Sequence, residues 1–261
     1  GTTAILLNSV SETFPNGLAN RSGQLGRNLM DHLSGATAIG ELNEFEDRYT
    51  AGRRPGGIYI PRYANITEHD TDFVRGFGFQ GGAGRIGWSG DRAGVGADFK
   101  NANRTPGKWY VGITAFGEML PRQENRMYLH PTRKDAWGQP IVVFDVSYSD
   151  NDRALMARAA RDAKAMIEAA GAVNINASAD RELNLAPPGK MIHEMGTARM
   201  GADPTQSVLN GWCQAHDVAN LFVTDGACMT SSACQNPSLT YMALTARAAN
   251  HAADLLSEAA L

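Results

Sequence analysis

The chain has 261 residues, 43% of them hydrophobic, and a net charge of −3 with acids and bases interspersed. It is long enough to bury one large core or two modest ones. Its longest basic run, Arg53-Arg54, is a solvated loop rather than a nucleic-acid face, and no apolar run approaches the roughly 18 residues of a membrane span.

Cys213, Cys228 and Cys234 are odd in number and lack a Cys-x-x-Cys pair, which argues against a disulfide framework or a zinc site. Reduced thiols favour a cytoplasmic setting. A periplasmic one stays open, because the start Gly1-Thr2-Thr3-Ala4 is neither a signal peptide nor an initiator methionine and reads as the middle of something larger.

In chain order, Thr3–Ser9 is a short apolar run of the kind that ends a helix, followed by a turn at Phe14-Pro15-Asn16-Gly17. Gly23–Leu33 carries Leu29, Met30 and Leu33 at helical spacing, with His32 as a structural residue. From about 38 to 188 the character changes. Runs rich in β-branched and aromatic residues at 57–61, 72–80, 108–120, 126–129 and 141–146 alternate with Gly, Pro, Asn and Asp clusters, the pattern of a mostly antiparallel sheet. Trp109–Leu120 alternates only in part, which predicts a central strand buried on both faces.

Residues 83–107 are glycine-rich and without periodicity, and fit either a substrate-side flap or a disordered loop. Asn151–Ala170 is the clearest helix, with Leu155, Ala159, Ala163, Met166 and Ile167 on its apolar face and Gly171 as its stop. Leu221–Val223 is a strand-like run stopped by Asp225-Gly226. Asn236-Pro237 then opens a helix with Asn236 as N-cap and Leu239, Met242, Leu244, Ala248, Ala252, Leu255 and Leu256 on its apolar face. Such a helix start aims free N–H groups and the positive end of a dipole at an anionic ligand.

Three motifs fail on their own physics. Gly76-Phe77-Gly78-Phe79-Gln80-Gly81 has the dinucleotide spacing, but the glycines that follow cannot form the helix the pyrophosphate needs. His193-Glu194 begins like a zinc-protease motif, but Thr197 stands where the second ligand belongs, and no metal is expected. Gly87-Trp88-Ser89-Gly90-Asp91 misses the nucleophile-elbow spacing.

Three other stretches occur in a telling order. They are Gly23-Gln24-Leu25-Gly26-Arg27-Asn28-Leu29-Met30-Asp31-His32, then His193-Glu194-Met195-Gly196-Thr197-Ala198-Arg199-Met200-Gly201, then Asp225-Gly226 with Asn236-Pro237-Ser238-Leu239-Thr240. Together they resemble the C-terminal part of the glucose–methanol–choline (GMC) flavin oxidoreductases.

The resemblance implies an α+β chain belonging to an α/β flavoprotein. Residues 1–38 would be a segment of the FAD-binding domain and linker. Residues 39–190 would form a substrate-binding domain, an antiparallel sheet under a helical layer. Residues 191–261 would be the C-terminal part of the Rossmann-like FAD domain. It also implies FAD as cofactor and an N-terminal FAD-binding portion outside this sequence. His193 would be the base that takes the hydroxyl proton, Asn236 would orient the substrate oxygen, and hydride would pass to flavin N5. Asp225 and Gly226 would lie near the ribityl–pyrophosphate portion, and Pro237 and Thr240 near the pyrimidine ring.

An imidazole suits the base because its unperturbed pKa lies near working pH. Asn236 cannot titrate, which assigns that task to His193. The motif forms are closest to bacterial sugar members, glucoside 3-dehydrogenases and pyranose oxidases, so a carbohydrate is the expected substrate. Trp88, Trp109 and Tyr110 would offer ring faces to a pyranose or serve as core. A GMC-fold lyase and a non-catalytic carbohydrate-binding or assembly subunit are the alternatives.

Overall fold

The structure is a computed structural model, and it describes residues 1–48, 57–85, 94–104 and 107–260. In chain order the elements are α1 (Thr2–Asn8), β1 (His32–Leu33), β2 (Thr37–Leu42), β3 (Ile58–Ile60), β4 (Phe77–Arg85), α2 (Gly96–Arg104), β5 (Trp109–Glu118), β6 (Arg126–Lys134), β7 (Pro140–Asp145), α3 (Asp150–Ala169), β8 (Val173–Ala177) and α4 (Ser238–Ser257). The strands pair antiparallel and the helices stand between and beyond them, so the class is α+β.

The chain divides into two compact units. One gathers Gly1–His32, Glu118–Ser149 and Pro187–Leu261, and the other Leu33–Gly117 and Asp150–Ala186. Residues 118–149 therefore group with the two chain ends, whereas the sequence alone puts them in a continuous middle segment 39–190. The sheet unit begins at residue 33 rather than 39.

The sheet unit is built on an antiparallel path ordered β3-β4-β5-β2-β8. β5 is central, as expected, but it is not buried on both faces. Val111, Ile113 and Ala115 point inward while Tyr110, Gly112 and Thr114 are only half-buried, a clean period of two. β2 and β8 have no apolar run to announce them. Their pairing is fixed by Ser178, whose Oγ accepts the Thr37 N–H at 2.7 Å and donates to the Thr37 carbonyl at 3.0 Å.

α3 packs against β2, β4 and β8. Its acidic first turn, Asp150 and Asp152, suits the positive end of the helix dipole. Leu155, Met156, Ala159, Ala160, Ala163 and Ile167 are buried on one face, and Gly171 follows in the left-handed region at φ 78°.

The glycine-rich dinucleotide look-alike lies in β4 and not before a helix, with Gln80 opposite Thr114 and Gly81 opposite Ile113. The stretch 83–107 is neither wholly loop nor wholly flap, since it contains the end of β4 and all of α2. Gly87, Trp88, Gly90 and Arg92, with Arg53-Arg54, lie outside the described residues. Trp109 donates its indole N–H to the Phe45 carbonyl at 2.8 Å, which gives it a structural use.

In the other unit, β6 and β7 form a hairpin with Leu129 opposite Val142. Its turn is held by the Asp135 carboxylate, which accepts the Trp137 and Gln139 N–H groups at 2.9 Å each. The core of this unit joins α1, the loops and α4 through Leu6, Leu25, Ala198, Val208, Leu209, Val223, Cys228 and Ala248.

Three sequence expectations change here. Gly23–Met30 is not helical; its apolar residues are buried by turns and single bridges. Leu221–Val223 is no strand, because only Phe222 makes a bridge, to Gln214. α4 begins at Ser238 with Pro237, not Asn236, at the cap. Of its expected apolar face only Ala248 is buried, while Leu239 and Met242 are 78% and 68% exposed. Cys213, Cys228 and Cys234 are buried thiols. Among the described residues no helix is long and apolar enough to cross a membrane.

Leu155 is fully buried where α3 meets the sheet. We expect Leu155→Ala to destabilise the sheet unit by about 2–5 kcal/mol. A urea titration followed by circular dichroism measures the loss against the unsubstituted chain.

Candidate active site

The three stretches singled out from the sequence meet in the unit formed by the chain ends. Residues 195–200 run between two partners, with a bend at Thr197 and Ala198. On one side Met30 and Met195 exchange N–H···O bonds of 2.9 and 2.8 Å, and Thr197 N–H donates to the Arg27 carbonyl at 3.0 Å. On the other side the N–H groups of Gly196, Ala198 and Met200 donate to the carbonyls of Gly226, Ala227 and Cys228 at 2.9, 3.0 and 3.0 Å. At Gly196 φ is 84° and a Cβ would overlap the Asn28 carbonyl oxygen, so only glycine lets the first motif approach this closely.

Two β-branched residues in this stretch, Ile192 at φ 55° and Thr197 at φ 71°, also adopt the left-handed region. That conformation is costly for such residues and persists only where the surroundings enforce it. They bracket His193 and the glycine after it, which puts the strain at the expected base. Thr197 is held by a buried hydroxyl–hydroxyl contact of 2.8 Å with Thr3 of α1.

The loop that delivers His193 has no ladder of its own. Its backbone donors are gathered by one buried carboxylate, Asp31, which is 2% exposed. Asp31 Oδ2 accepts the Gly189 and Met191 N–H groups at 2.9 and 3.1 Å. Its Oδ1 accepts those of His193 and His32 at 3.3 and 2.7 Å.

His193 itself is half-buried. Its Nδ1 lies 3.0 Å from Nδ1 of His32, with ring centroids 4.8 Å apart and planes at 70°. His32 is fully buried. Burial chiefly, and then the neighbouring His193, push its pKa below the ordinary imidazole value, while the Ala233 backbone and Asp31 act the other way. Ala233, whose backbone favours the protonated ring, precedes Asn236 by three residues. Asn236 is exposed, ahead of the buried Pro237 and of Thr240, which is exposed in the first turn of α4.

Asp225 and Gly226 line a different feature, a cavity of about 450 Å³ whose other walls include Thr2, Thr3, Leu29, Met127, Phe144, Glu194 and Thr197. Pro237 and Thr240 do not line it. Asp225 Oδ2 accepts the Thr2 hydroxyl at 2.6 Å and its Oδ1 accepts the Ala227 N–H at 3.0 Å. At Gly226 a Cβ would press on the Glu194 carbonyl at 2.6 Å and the Tyr241 hydroxyl at 2.9 Å. Burial, foremost, pushes Tyr241 up to about 12, so its hydroxyl stays protonated at neutral pH. Among the described residues no group of three or more His, Cys, Asp or Glu is placed to hold a metal ion.

Sequence reading missed Asp31 and the part played by His32. The only signal for either was their adjacency in the opening motif. It also missed Glu194, which itself lines both the 450 Å³ cavity and a smaller one of about 230 Å³.

Residues 121–245 match the family model described as GMC oxidoreductase. The chain is 34% identical over 96% of its length to a 2-methyl-1,2-propanediol dehydrogenase of Mycolicibacterium austroafricanum, covering 46% of that protein. It is 31% identical over 95% of its length to the fructose dehydrogenase large subunit of Gluconobacter japonicus, covering 44% of it.

Formate oxidase of Aspergillus oryzae RIB40 shares the fold, with a TM-score of 0.54 at 15% identity over 87% of this chain and 47% of the other. The chain therefore belongs to the GMC oxidoreductases, a family of FAD-binding flavoproteins. It spans just under half the length of the curated relatives it matches.

Hydrogen bonds to a charged acceptor are worth about 1.5–3 kcal/mol each. We expect Asp31→Ala to raise amide exchange at Gly189, Met191 and His193 by about tenfold or more while α3 keeps its protection. Exchange followed by mass spectrometry reads both regions at once.

Proposed function

We propose that the protein catalyses FAD-dependent oxidation of a sugar or glycoside hydroxyl to a carbonyl, with His193 as the base and Asn236 orienting the substrate oxygen. The observation that carries this is the placement of His193. Its backbone is pinned by a buried carboxylate, one ring nitrogen is engaged from behind by His32, and the ring remains half-exposed. A base that must meet a hydroxyl needs this combination of a fixed rear and an open front.

Removing hydride from the carbinol carbon leaves a carbonyl only if the hydroxyl proton departs as well. His193 takes that proton, and the Asn236 amide donates a hydrogen bond to the oxygen as charge gathers on it. Asn236 adds no second titration, so the protonation state of the site is that of the imidazole pair. Bound FAD supplies the hydride acceptor at its N5.

The residues present suit parts of such a group. Asp225 and the threonines of the 450 Å³ cavity offer acceptors and donors to the hydroxyls of a ribityl chain, and Gly226 keeps that wall flat. The Asp225 charge favours hydroxyls there over phosphates, which narrows the expected ribityl–pyrophosphate contact to the ribityl part. Pro237 and Thr240 would hold the pyrimidine side, where the positive end of α4 favours negative charge.

The dinucleotide phosphates call for a glycine-rich turn entering a helix, which β4 does not provide. We assign that task to an N-terminal FAD-binding portion outside this sequence, in the same polypeptide or a separate chain. One relative supports the sugar class by its name, which gives a ketose, while another names a short 1,2-diol, an alcohol outside that class. Both molecules carry a hydroxyl beside a second oxygen.

The test is anaerobic titration of the full-length, FAD-loaded protein with sugars, glycosides and diols, followed by flavin absorbance. We expect bleaching by a polyhydroxylated substrate, and a fall of about 10²–10⁴-fold in its rate for His193→Gln. A lyase or a non-catalytic subunit would leave the flavin oxidised throughout, and an unaffected His193→Gln would remove the base assignment.

A further inference from the structure

We infer that Met200, Cys213 and Cys228 form a binding site for a soft monovalent metal ion, copper(I) or silver(I), held by two thiolates and a thioether. The site lies in the core of the chain-end unit, and it stands whether or not His193 is the base.

Three sulfur side chains from separate loops meet there. Cys213 Sγ lies 3.5 Å from Met200 Sδ. The Cys228 thiol is in hydrogen-bonding contact with that of Cys213, and the Cys228 carbonyl accepts the Met200 N–H at 3.0 Å. Both cysteines are free thiols. A metal–sulfur bond of about 2.3 Å sets the ligands of a trigonal ion roughly 4 Å apart, so Met200 and Cys213 need part by only about 0.5 Å.

The backbone at Cys213 points the same way. Its φ is 60°, in the left-handed region where glycine or asparagine would sit at less cost. Asn210 enforces that turn, its Oδ1 accepting the Trp212 and Gln214 N–H groups at 2.8 and 3.2 Å. Val223 N–H donates to the Cys213 carbonyl at 2.9 Å. The chain thus spends strain to hold a thiol at this point, beside a second thiol and a thioether.

A donor set of two thiols and a thioether selects soft ions and offers nothing to magnesium or calcium. Cys213 and Cys228 are buried, whereas Met200 is only half-buried. Met200 also lines an open cavity of about 380 Å³, together with Asp203, Gln206, Ser207 and Thr230. An ion entering from that cavity meets the thioether first and the thiols behind it.

When the ion binds, two S–H bonds break, two metal–thiolate bonds form and both protons leave to water. The thioether adds a neutral third donor, and no electron is exchanged. One monovalent ion in place of two protons leaves the cluster with a single negative charge. Arg247 supplies the balancing charge, with Nη2 3.8 Å from Met200 Sδ. Burial, foremost, and then Cys213 push the Cys228 thiol above its ordinary pKa, so only a strongly thiophilic ion displaces its proton.

The experiment is titration of the full-length, FAD-loaded protein with silver(I) in chloride-free buffer. Native mass spectrometry counts the bound ions, and X-ray absorption at the silver edge identifies their neighbours. We expect the first equivalent to bind with three sulfur neighbours and to release two protons. Cys213→Ser and Cys228→Ser should each lose that ion, while Cys234→Ser, also at a buried thiol, should keep it. Met200→Leu, which nearly conserves volume, should weaken its binding by about tenfold or more.

A first equivalent bound through nitrogen or oxygen, or one that Cys213→Ser holds at full affinity, would overturn the inference. If both serine variants fail to fold, the silver-edge spectrum of the unsubstituted protein and the affinity of Met200→Leu still decide it. Two sulfur neighbours instead of three, or an affinity unchanged in Met200→Leu, would overturn it as well.

Discussion

The buried carboxylate of Asp31 is the interaction on which the candidate site depends. Taking a carboxylate out of water is expensive unless donors replace the lost hydration. Four backbone N–H groups do so here, those of His32, Gly189, Met191 and His193. The exchange works in both directions, because 189–193 is irregular backbone with no sheet or helix to satisfy its donors. A single side chain near residue 30 therefore fixes the path of a loop some 160 residues later, and fixes where His193 stands.

The rest of the first motif is tightened around that anchor. Residues 195–200 are bonded on both edges, to 27–30 and to 226–228, and they include Thr197 in a conformation its side chain disfavours. Ile192 is disfavoured in the same way on the other side of His193. Strain of this kind survives only where packing and hydrogen bonds over-determine the backbone. The Gly196 contact with Asn28 and the Thr3–Thr197 hydroxyl pair are among the restraints that do so. The site's precision thus comes from loops bound to loops, with α1 and α4 serving as walls.

How much of this was legible in the sequence follows from the range of each interaction. α3 could be read because its apolar residues recur at helical spacing and Gly171 ends it. β5, β6 and β7 announced themselves by β-branched and aromatic residues. Thr37–Leu42 and Val173–Ala177 did not, since mixed polar content and asparagines conceal strands held by pairing and by the Ser178 clamp. Leu29, Met30 and Leu33 suggested a helix only because their burial, achieved by bridges, happens to fall at helical intervals. The order of three motifs gave the family and pointed to His193. Nothing local could show that His32, 161 residues away, meets it ring to ring. A buried histidine looks structural until its partner is in place.

The central claim is that His193 and Asn236 address one alcohol oxygen. The most direct test is a crystal structure of the full-length, FAD-loaded protein with an unreactive substrate analogue, such as a thio- or deoxy-sugar retaining the target hydroxyl. The account predicts His193 Nε2 and the Asn236 amide each within about 2.6–3.2 Å of that hydroxyl oxygen. An analogue bound beside the flavin with its oxygen held by other residues, and His193 turned away, would contradict it.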